Sequence, residues 1–418
     1  MLYKSEILKG IRYLLSIQNK DGGIPGLRKG DPSACWTTAE TLEVTLRASC
    51  FDPEFHKFIV NMIHFLLNTQ LKETDNVGAW PEYVNKHSSF TFVTGHALSA
   101  LKLSENIFID DSDIHNNIKS AIERGFEYLK KVQNTDGGWG LTPELGGEEK
   151  KSRAFSTIYV LHGYIQNGFT ASSDNSVSKA CQYLEGLLDK KTGRFDSGLD
   201  KCSDVCYTAR IINILIKAKY KNPNSDSLLK KAVNFVKIQS NKTLLSVNNE
   251  IFSTREHIGY HNNTPIDVTE TLCLCGIFGT KSQHLEKWFI KNQQPDGMWY
   301  LGKDRNPKEQ NTEIVTWATN DAIYALLCID EVYSKIYYSK LHKKFRIQRK
   351  SIVVLIVFLV ASVLFHDYIP SFFSWNTIPK LIKFFISTSI GLALLSNFLW
   401  DLIKKFFSFL LDKFHHSR

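Results

Sequence analysis

Six copies of one pattern, each a little over fifty residues long, constrain what this chain can fold into more than any other feature. Four are plain: YLLSIQNKDGGI from Tyr13, FLLNTQLKETDNVGAW from Phe65, YLKKVQNTDGGW from Tyr128 and WFIKNQQPDGMW from Trp288. Two weaker copies, YLEGLLDKKTGRF from Tyr183 and FVKIQSNKTLLSV from Phe235, fill the gaps. Anchored on Gln18, Gln70, Gln133, Leu188, Gln239 and Gln293, the intervals are 52, 63, 55, 51 and 54 residues. Units of this size bury too little apolar surface alone and must stack on their neighbours.

Each unit has the same internal plan. An amphipathic helix comes first, as in AIERGFEYLKKVQ, with apolar residues three and four apart. Asp-Gly or Gly-Gly then breaks it, because glycine adopts the backbone angles of a tight turn. A second helix follows, rich in small, hydroxyl and apolar residues: WTTAETLEVTLRA (36–48), SSFTFVTGHALSALKL (88–103), SRAFSTIYVLHGYI (152–165) and TEIVTWATNDAIYALL (312–327). These lack a broad charged face and belong inside. The pattern predicts an all-α fold over 1–335, an (α/α)6 toroid in which six inner helices sit within six outer ones. No polar capping repeat is present, which favours a closed ring over an open superhelix.

The 51 Lys and Arg against 42 Asp and Glu would suit a nucleic-acid binder if the excess lay on the body. It does not. From Leu341 onward there are eleven basic and three acidic residues, which leaves the first 340 with 40 and 39. A neutral body excludes nucleic acid as its partner. The eight cysteines show no Cys-x-x-Cys pair, and MLYKSEILKGIRYLL lacks the apolar core of a signal peptide. The body is expected in the cytosol with its thiols reduced.

The basic tail carries two uncharged stretches, Ser351–Phe365 and Phe384–Trp400. With flanking Tyr368, Ile369, Leu381 and Ile382 they approach the ~20 residues that cross a bilayer. Trp375 and Trp400 stand at interfacial positions, and KLHKKFRIQRK (340–350) supplies six cations before the first stretch. No Lys or Arg lies between His366 and Pro379, whereas Lys404, Lys405, Lys413 and Arg418 follow the second stretch. The expected organisation is a basic linker at 336–350, a transmembrane helical hairpin at 351–400 and an amphipathic basic tail at 401–418. Both termini and the toroid would then face the cytoplasm, with the lipid bilayer as a partner. An amphipathic or buried helical pair packed on the body is the alternative, but uncharged stretches leave it no polar face.

The turns carry a Gln-x-x-x-Gly-x-Trp signature: Gln133-Gly137-Trp139 and Gln293-Gly297-Trp299 in full, Gln18-Gly22 in part with Ile24 in place of Trp. Residues 5–330 thereby resemble the terpenoid cyclases and protein prenyltransferase β subunits. The resemblance implies a toroid with a central cavity for isoprenoid chains. In it the Gln amide would tie neighbouring helix ends and the Trp would pack between them, so neither is a catalytic candidate.

Cyclases that start by protonation resemble one another in an Asp-x-Asp-Asp or Asp-Cys-Thr-Ala-Glu motif. Only an unusually acidic carboxyl in an apolar cavity protonates an alkene. No Asp-x-Asp-Asp occurs here; the nearest match is Pro265-Ile-Asp267-Val-Thr269-Glu270. By resemblance Asp267 is the candidate catalytic acid with Glu270 beside it. The plainer reading makes Asp267 a helix N-cap and Glu270 the return arm of a capping box. The resemblance to prenyltransferases implies a second set, in which Asp204, Cys206 and Glu270 would be zinc ligands, with His257 or His261 as substitutes. The histidine expected from a later inner helix is missing, and the plainer reading is a capping Asp and a buried thiol. Asp110-Asp111-Ser112-Asp113 lies between repeats, where it is expected to cap the next outer helix. His96 and His162 lie on inner helices as core or cavity residues, and Trp36, Phe92, Tyr159, Tyr207 and Trp317 are candidate cavity-lining aromatics together with His96. About half of the aromatics are expected to pack between layers instead.

These residues support a membrane-anchored cytosolic toroid that binds an isoprenoid or lipid-like ligand with terpenoid-cyclase-like chemistry. Two alternatives stand beside it: a non-enzymatic ligand sensor or protein scaffold with the hairpin as effector, and a zinc-dependent prenyltransferase-like enzyme. A cavity with an inward carboxylate favours an enzyme; a core filled by side chains favours a scaffold.

Overall fold

The computed structural model describes residues 3–26, 29–48, 53–72, 75–86, 88–105, 107–108, 111–195, 203–243, 264–279, 282–299 and 316–335. Met1–Val332 form one compact unit and Tyr333–Arg418 a second, of which 333–335 are described. The expected linker, hairpin and tail lie outside the described residues. Among the described residues, no helix is long and apolar enough to cross a membrane.

Twelve principal helices are present among the described residues. The outer ones are α1 (Lys4–Ser16), α3 (Pro53–Thr69), α5 (Ser112–Lys131), α7 (Asn175–Gly186), α9 (Ser227–Thr243) and α11 (Gln283–Asn292). The inner ones are α2 (Cys35–Arg47), α4 (Thr91–Glu105), α6 (Ala154–Gln166), α8 (Ser203–Lys217), α10 (Thr264–Leu274) and α12 (316–335). A two-residue antiparallel pair, Ile24–Pro25 with Ser33–Ala34, is the one sheet among the described residues. The all-α expectation holds.

Burial follows sequence pattern. Outer helix α5 buries Ile118, Ala121, Ile122, Gly125, Phe126 and Leu129, a single stripe three and four residues apart. Its N-cap is Asp111, whose carboxylate accepts from the Ile114 N–H at 3.1 Å, as the acidic cluster predicts. Inner helix α4 is buried from Thr91 through Leu101 without interruption, because neighbours cover it on all sides. Gly95 and Gly163 let α4 and α6 meet backbone to backbone: a Cβ on Gly95 would stand 2.2 Å from the Tyr159 carbonyl oxygen.

The repeat signature is the joint between units. Gln133 donates from Nε2 to the carbonyls of Gly137 (2.8 Å) and Ser176 (2.9 Å), tying its own turn to the start of the next outer helix. Gln18 and Gln70 do the same toward Phe58 and Ala121. Gln293, in the sixth unit, donates to Glu6 of the first at 2.8 Å. Inside, Thr41 of α2 donates to Asn320 of α12 at 3.1 Å. The ring closes. The motif tryptophans are fully buried, with Trp139 and Trp299 donating to Leu129 and Phe289 at 2.8 Å.

Candidate active site

One internal threonine sets the register of the inner helices. Thr38, Thr94, Thr157, Thr208 and Thr319 accept from the N–H of Ile24, Trp80, Trp139, Phe195 and Trp299, at 2.8 to 3.2 Å. Each latches an inner helix to its own turn. Carried to the fifth helix, the register falls on position 265. Two residues after that point stand Glu40, His96, Tyr159, Arg210, Asp267 and Asp321. Three residues further, on the same helix face, stand Glu43, Ser99, His162, Asn213, Glu270 and Tyr324. These twelve polar or ionisable side chains form two tiers, and all except Ser99 border a cavity of about 110 Å3 at the toroid axis. One water needs roughly 10–15 Å3, so a group of several heavy atoms fits. Val44, Ile158, Ile214 and Ile266 supply its apolar wall.

The second tier is spent on its own partners. Glu43 accepts from Arg47 Nε (2.8 Å) and Ser99 Oγ (2.7 Å) and lies 3.0 Å from His162 Nε2, while Arg47 also donates to Gln166 at 2.6 Å. Glu270 accepts from Asn213 Nδ2 and Tyr324 Oη, each at 2.9 Å, and pairs with Lys217. Burial alone would push both carboxyls up; His162 and Arg47 hold Glu43 well below the usual range, and Lys217 holds Glu270 below it. Both are carboxylates. The tier makes a floor tied from repeat to repeat.

The first tier is only half paired. Arg210 Nε donates to Asp267 Oδ1 at 2.9 Å, and the Cys206 thiol donates to Oδ2 at 2.9 Å. Burial raises the Asp267 carboxyl, opposed by the Arg210 charge. Glu40 and Asp321 have no such cation: neither forms an ion pair with Lys or Arg among the described residues, and Glu40 Oε2 is buried without a hydrogen bond. Burial, then the charges of Asp321 and Glu43, push Glu40 well above the usual carboxyl range against the pull of Arg210 and the Asn320 side chain. Burial, with Asp267 and Glu270 nearby, pushes Asp321 up to about 7 against the pull of Arg210. His96 Nε2 lies 3.5 Å from Glu40, but burial depresses that imidazole to about 3, so it is neutral. The cavity thus holds two carboxyls that burial raises, Asp321 to about 7.

Asp267 and Glu270 both reach the cavity, on adjacent tiers. The capping reading is corrected: α10 begins at Thr264, so Asp267 lies inside its first turn and serves Arg210. Both Asp267 oxygens accept hydrogen bonds, which suits an anion more than a proton donor. His96 and Tyr159 line the cavity; Trp36, Phe92, Tyr207 and Trp317 do not border it. Trp36, Phe92 and Trp317 sit one turn nearer the helix N-termini, with Phe155 at the matching place, and Tyr207 stacks on Phe195 at 5.2 Å. His162 is held by Ser99 and Glu43. The zinc set has Cys206 donating to Asp267 and Glu270 held by Lys217, Tyr324 and Asn213, while the Asp204 side chain, His257 and His261 lie outside the described residues. Among the described residues no cluster of three His, Cys, Asp or Glu is arranged for an ion, and the engaged ligands do not fit one.

Glu40, Arg210 and Asp321 are absent from the sequence-derived candidates. Aligning the repeats on the inner-helix threonine, as Thr38-Ala-Glu40, Thr208-Ala-Arg210 and Thr319-Asn-Asp321, exposes them. Alignment on the turn glutamine does not, because the loops between differ in length.

No family model matches the chain. Among solved structures it is similar to the type II terpene cyclase MstE from Scytonema, at 15% identity over 79% of this chain and 100% of that one, TM-score 0.52. A D-mannose isomerase matches at 10% identity over 80% and 97%, TM-score 0.54. An α-1,6-mannanase of glycoside hydrolase family 76 from Salegentibacter sp. HEL1_6 matches at 11% over 78% and 99%, TM-score 0.53. At these identities the likeness is one of fold, and the fold is the all-α toroid that the repeats predict.

Proposed function

We propose that the toroid is a membrane-tethered acid–base enzyme whose Glu40–Asp321 pair donates a proton to an oxygen-bearing group of its ligand and later recovers it. The observation that carries this is two buried carboxyls facing the cavity with no cation of their own, beside paired carboxyls that have one. A pure scaffold gains nothing from such a pair, because uncompensated buried acids cost stability. An acid poised at about 7 is matched to hydroxyl, acetal or carbonyl oxygen at neutral pH. It is far too weak to protonate an alkene, so the polar tiers speak for an oxygen at the buried end of the ligand. An isoprenoid or lipid chain keeps a place in this reading. Trp36, Phe92, Phe155 and Trp317, one helical turn away, offer aromatic surface to an apolar chain whose oxygenated end reaches the first tier.

The test is conversion of a lipid and small-metabolite extract by the full chain in detergent, followed by mass spectrometry. Wild type should consume a component that Glu40→Gln and Asp321→Asn leave untouched, with a loss of at least about 100-fold, the scale of general acid catalysis. Equal turnover by wild type and both variants would rule out the pair.

The tether rests on the tail sequence. Two uncharged stretches bury apolar surface, and that attachment is not electrostatic. The full chain should pellet with membranes and resist high salt and alkali, whereas truncation after Lys340 should free the toroid. Release of the full chain by salt alone would reduce the tail to a surface-binding segment.

A further inference from the structure

The first tier leaves Arg210 with its two Nη nitrogens unspent toward the cavity. Arg210 is 8% exposed and uses Nε on Asp267; its two Nη nitrogens have no hydrogen-bond partner among the described residues, and the side chain borders the cavity. Asn320, 1% exposed and also at the cavity, accepts from Thr41 through its oxygen and turns its amide toward the Glu40 carboxyl. Glu40 and Asp321, when protonated, each present an O–H. The fixed charges near them cancel: Arg47 with Glu43, Arg210 with Asp267, Lys217 with Glu270. The rings of Tyr159 and Tyr207 lie 5.7 and 5.9 Å from the Arg210 guanidinium carbon and restrict it to the axis.

We infer that the cavity is an oxyanion seat, in which Arg210 takes a carboxylate or phosphate group of the ligand through its two Nη nitrogens, with the Glu40 and Asp321 carboxyls facing the same space. This deepens the acid–base reading and rests on its protonated pair. Guanidinium presents paired N–H groups that match two oxygens of one anion. Burial removes competing water, and the cavity admits a group of that size.

Binding is therefore linked to protons, and the sign is fixed. Glu40 is faced by Asp321, Glu43, His96 and Arg210, and Asp321 by Arg210, Asp267, Glu270 and Glu40; Tyr159 adjoins both. An entering anion favours the neutral form of both acids, so it draws protons in. A cationic ligand, such as an amine, would expel them.

Calorimetric titration of the detergent-solubilised full chain with acetate, inorganic phosphate and methylammonium, in two buffers of different ionisation enthalpy, separates these cases. Acetate or phosphate should bind with proton uptake, and its affinity should fall up to about tenfold per pH unit above about 7. The relative strengths of acetate and phosphate identify which oxyanion the seat prefers. The Glu40→Gln, Asp321→Asn double variant should still bind acetate, which does not itself titrate around neutrality, with the proton uptake and pH slope gone, even though turnover is lost. Arg210→Lys keeps a charge for Asp267 but not the paired donors, and should weaken anion binding at least about tenfold with the fold intact by circular dichroism. Methylammonium binding with proton release, or no binding by either anion up to ~100 mM, overturns the inference. Loss of turnover in the acid variants without anion binding would leave the acid–base reading standing and remove the seat alone.

Discussion

Replacing Asp267 by Ala should cost the toroid about 3–5 kcal/mol, the largest single-residue effect expected in the inner barrel. Asp267 is the counter-ion of Arg210 at 2.9 Å, and Arg210 is held far into its charged form inside the ring. Removing the carboxylate strands a buried guanidinium and leaves the Cys206 thiol without its acceptor. The same damage should be mostly reversed in Asp267→Ala, Arg210→Met, where both charges are gone and the space is filled by an apolar chain. Urea titrations of wild type, both single variants and the double variant give the coupling directly. Additive effects in that cycle would mean that Asp267 is held by something other than Arg210.

Asp321→Asn should do the reverse and stabilise the protein, by up to about 4 kcal/mol at mildly alkaline pH, at 1.36 kcal/mol per unit of displaced pKa. The folded Asp321 carboxyl titrates at about 7 against 3.8 in the free side chain. Between those values the fold holds a proton that the unfolded chain releases. Stability contributed by this group therefore falls as pH rises from about 4 to about 7 and is level above that. Asparagine cannot ionise, so the slope should flatten in the variant and the gain should vanish below about pH 4. Parallel stability curves for the two proteins across that range would place Asp321 in contact with water. A variant more stable and less active is the signature of a site kept at the expense of the fold.

The toroid was legible in the sequence because its joints are made by residues close to one another in the chain. Gln133, Gly137 and Trp139 build one turn, and the same turn recurs with Gln293, Gly297 and Trp299, so its period can be read directly. Gly137 and Gly297 have φ of +93° and +102°, and a Cβ on either would stand within 2.5 Å of a carbonyl in the next outer helix. Asp267 was legible through its resemblance to a cyclase motif, although its partner was not. The site itself is assembled across the ring: Arg210 meets Asp267 from 57 positions away, and Glu40 meets Asp321 across the seam where the sixth unit closes on the first. No local spacing encodes such pairs. The inner helices also read as apolar and hydroxyl-rich because one ionisable residue per turn is diluted by Ala, Thr and Ile around it. The aromatics Trp36, Phe92 and Trp317 attract attention for their size, yet they stand one turn away from the cavity that Glu40, Arg210 and Asp321 border.

Burial raises the Glu40 and Asp321 carboxyls, whereas cationic partners hold Glu43 and Glu270 below the usual range. Infrared spectroscopy of the full chain in heavy water reads this directly, because a protonated carboxyl has a carbonyl stretch apart from that of a carboxylate. As pH is raised through about 7, one protonated-carboxyl band should disappear, and it should be missing throughout in Asp321→Asn. A second band, from the Glu40 carboxyl that burial also raises, should be missing in Glu40→Gln. If no protonated carboxyl is seen around neutrality, or if the bands survive both substitutions, the cavity is a set of ordinary ion pairs and the acid–base account fails.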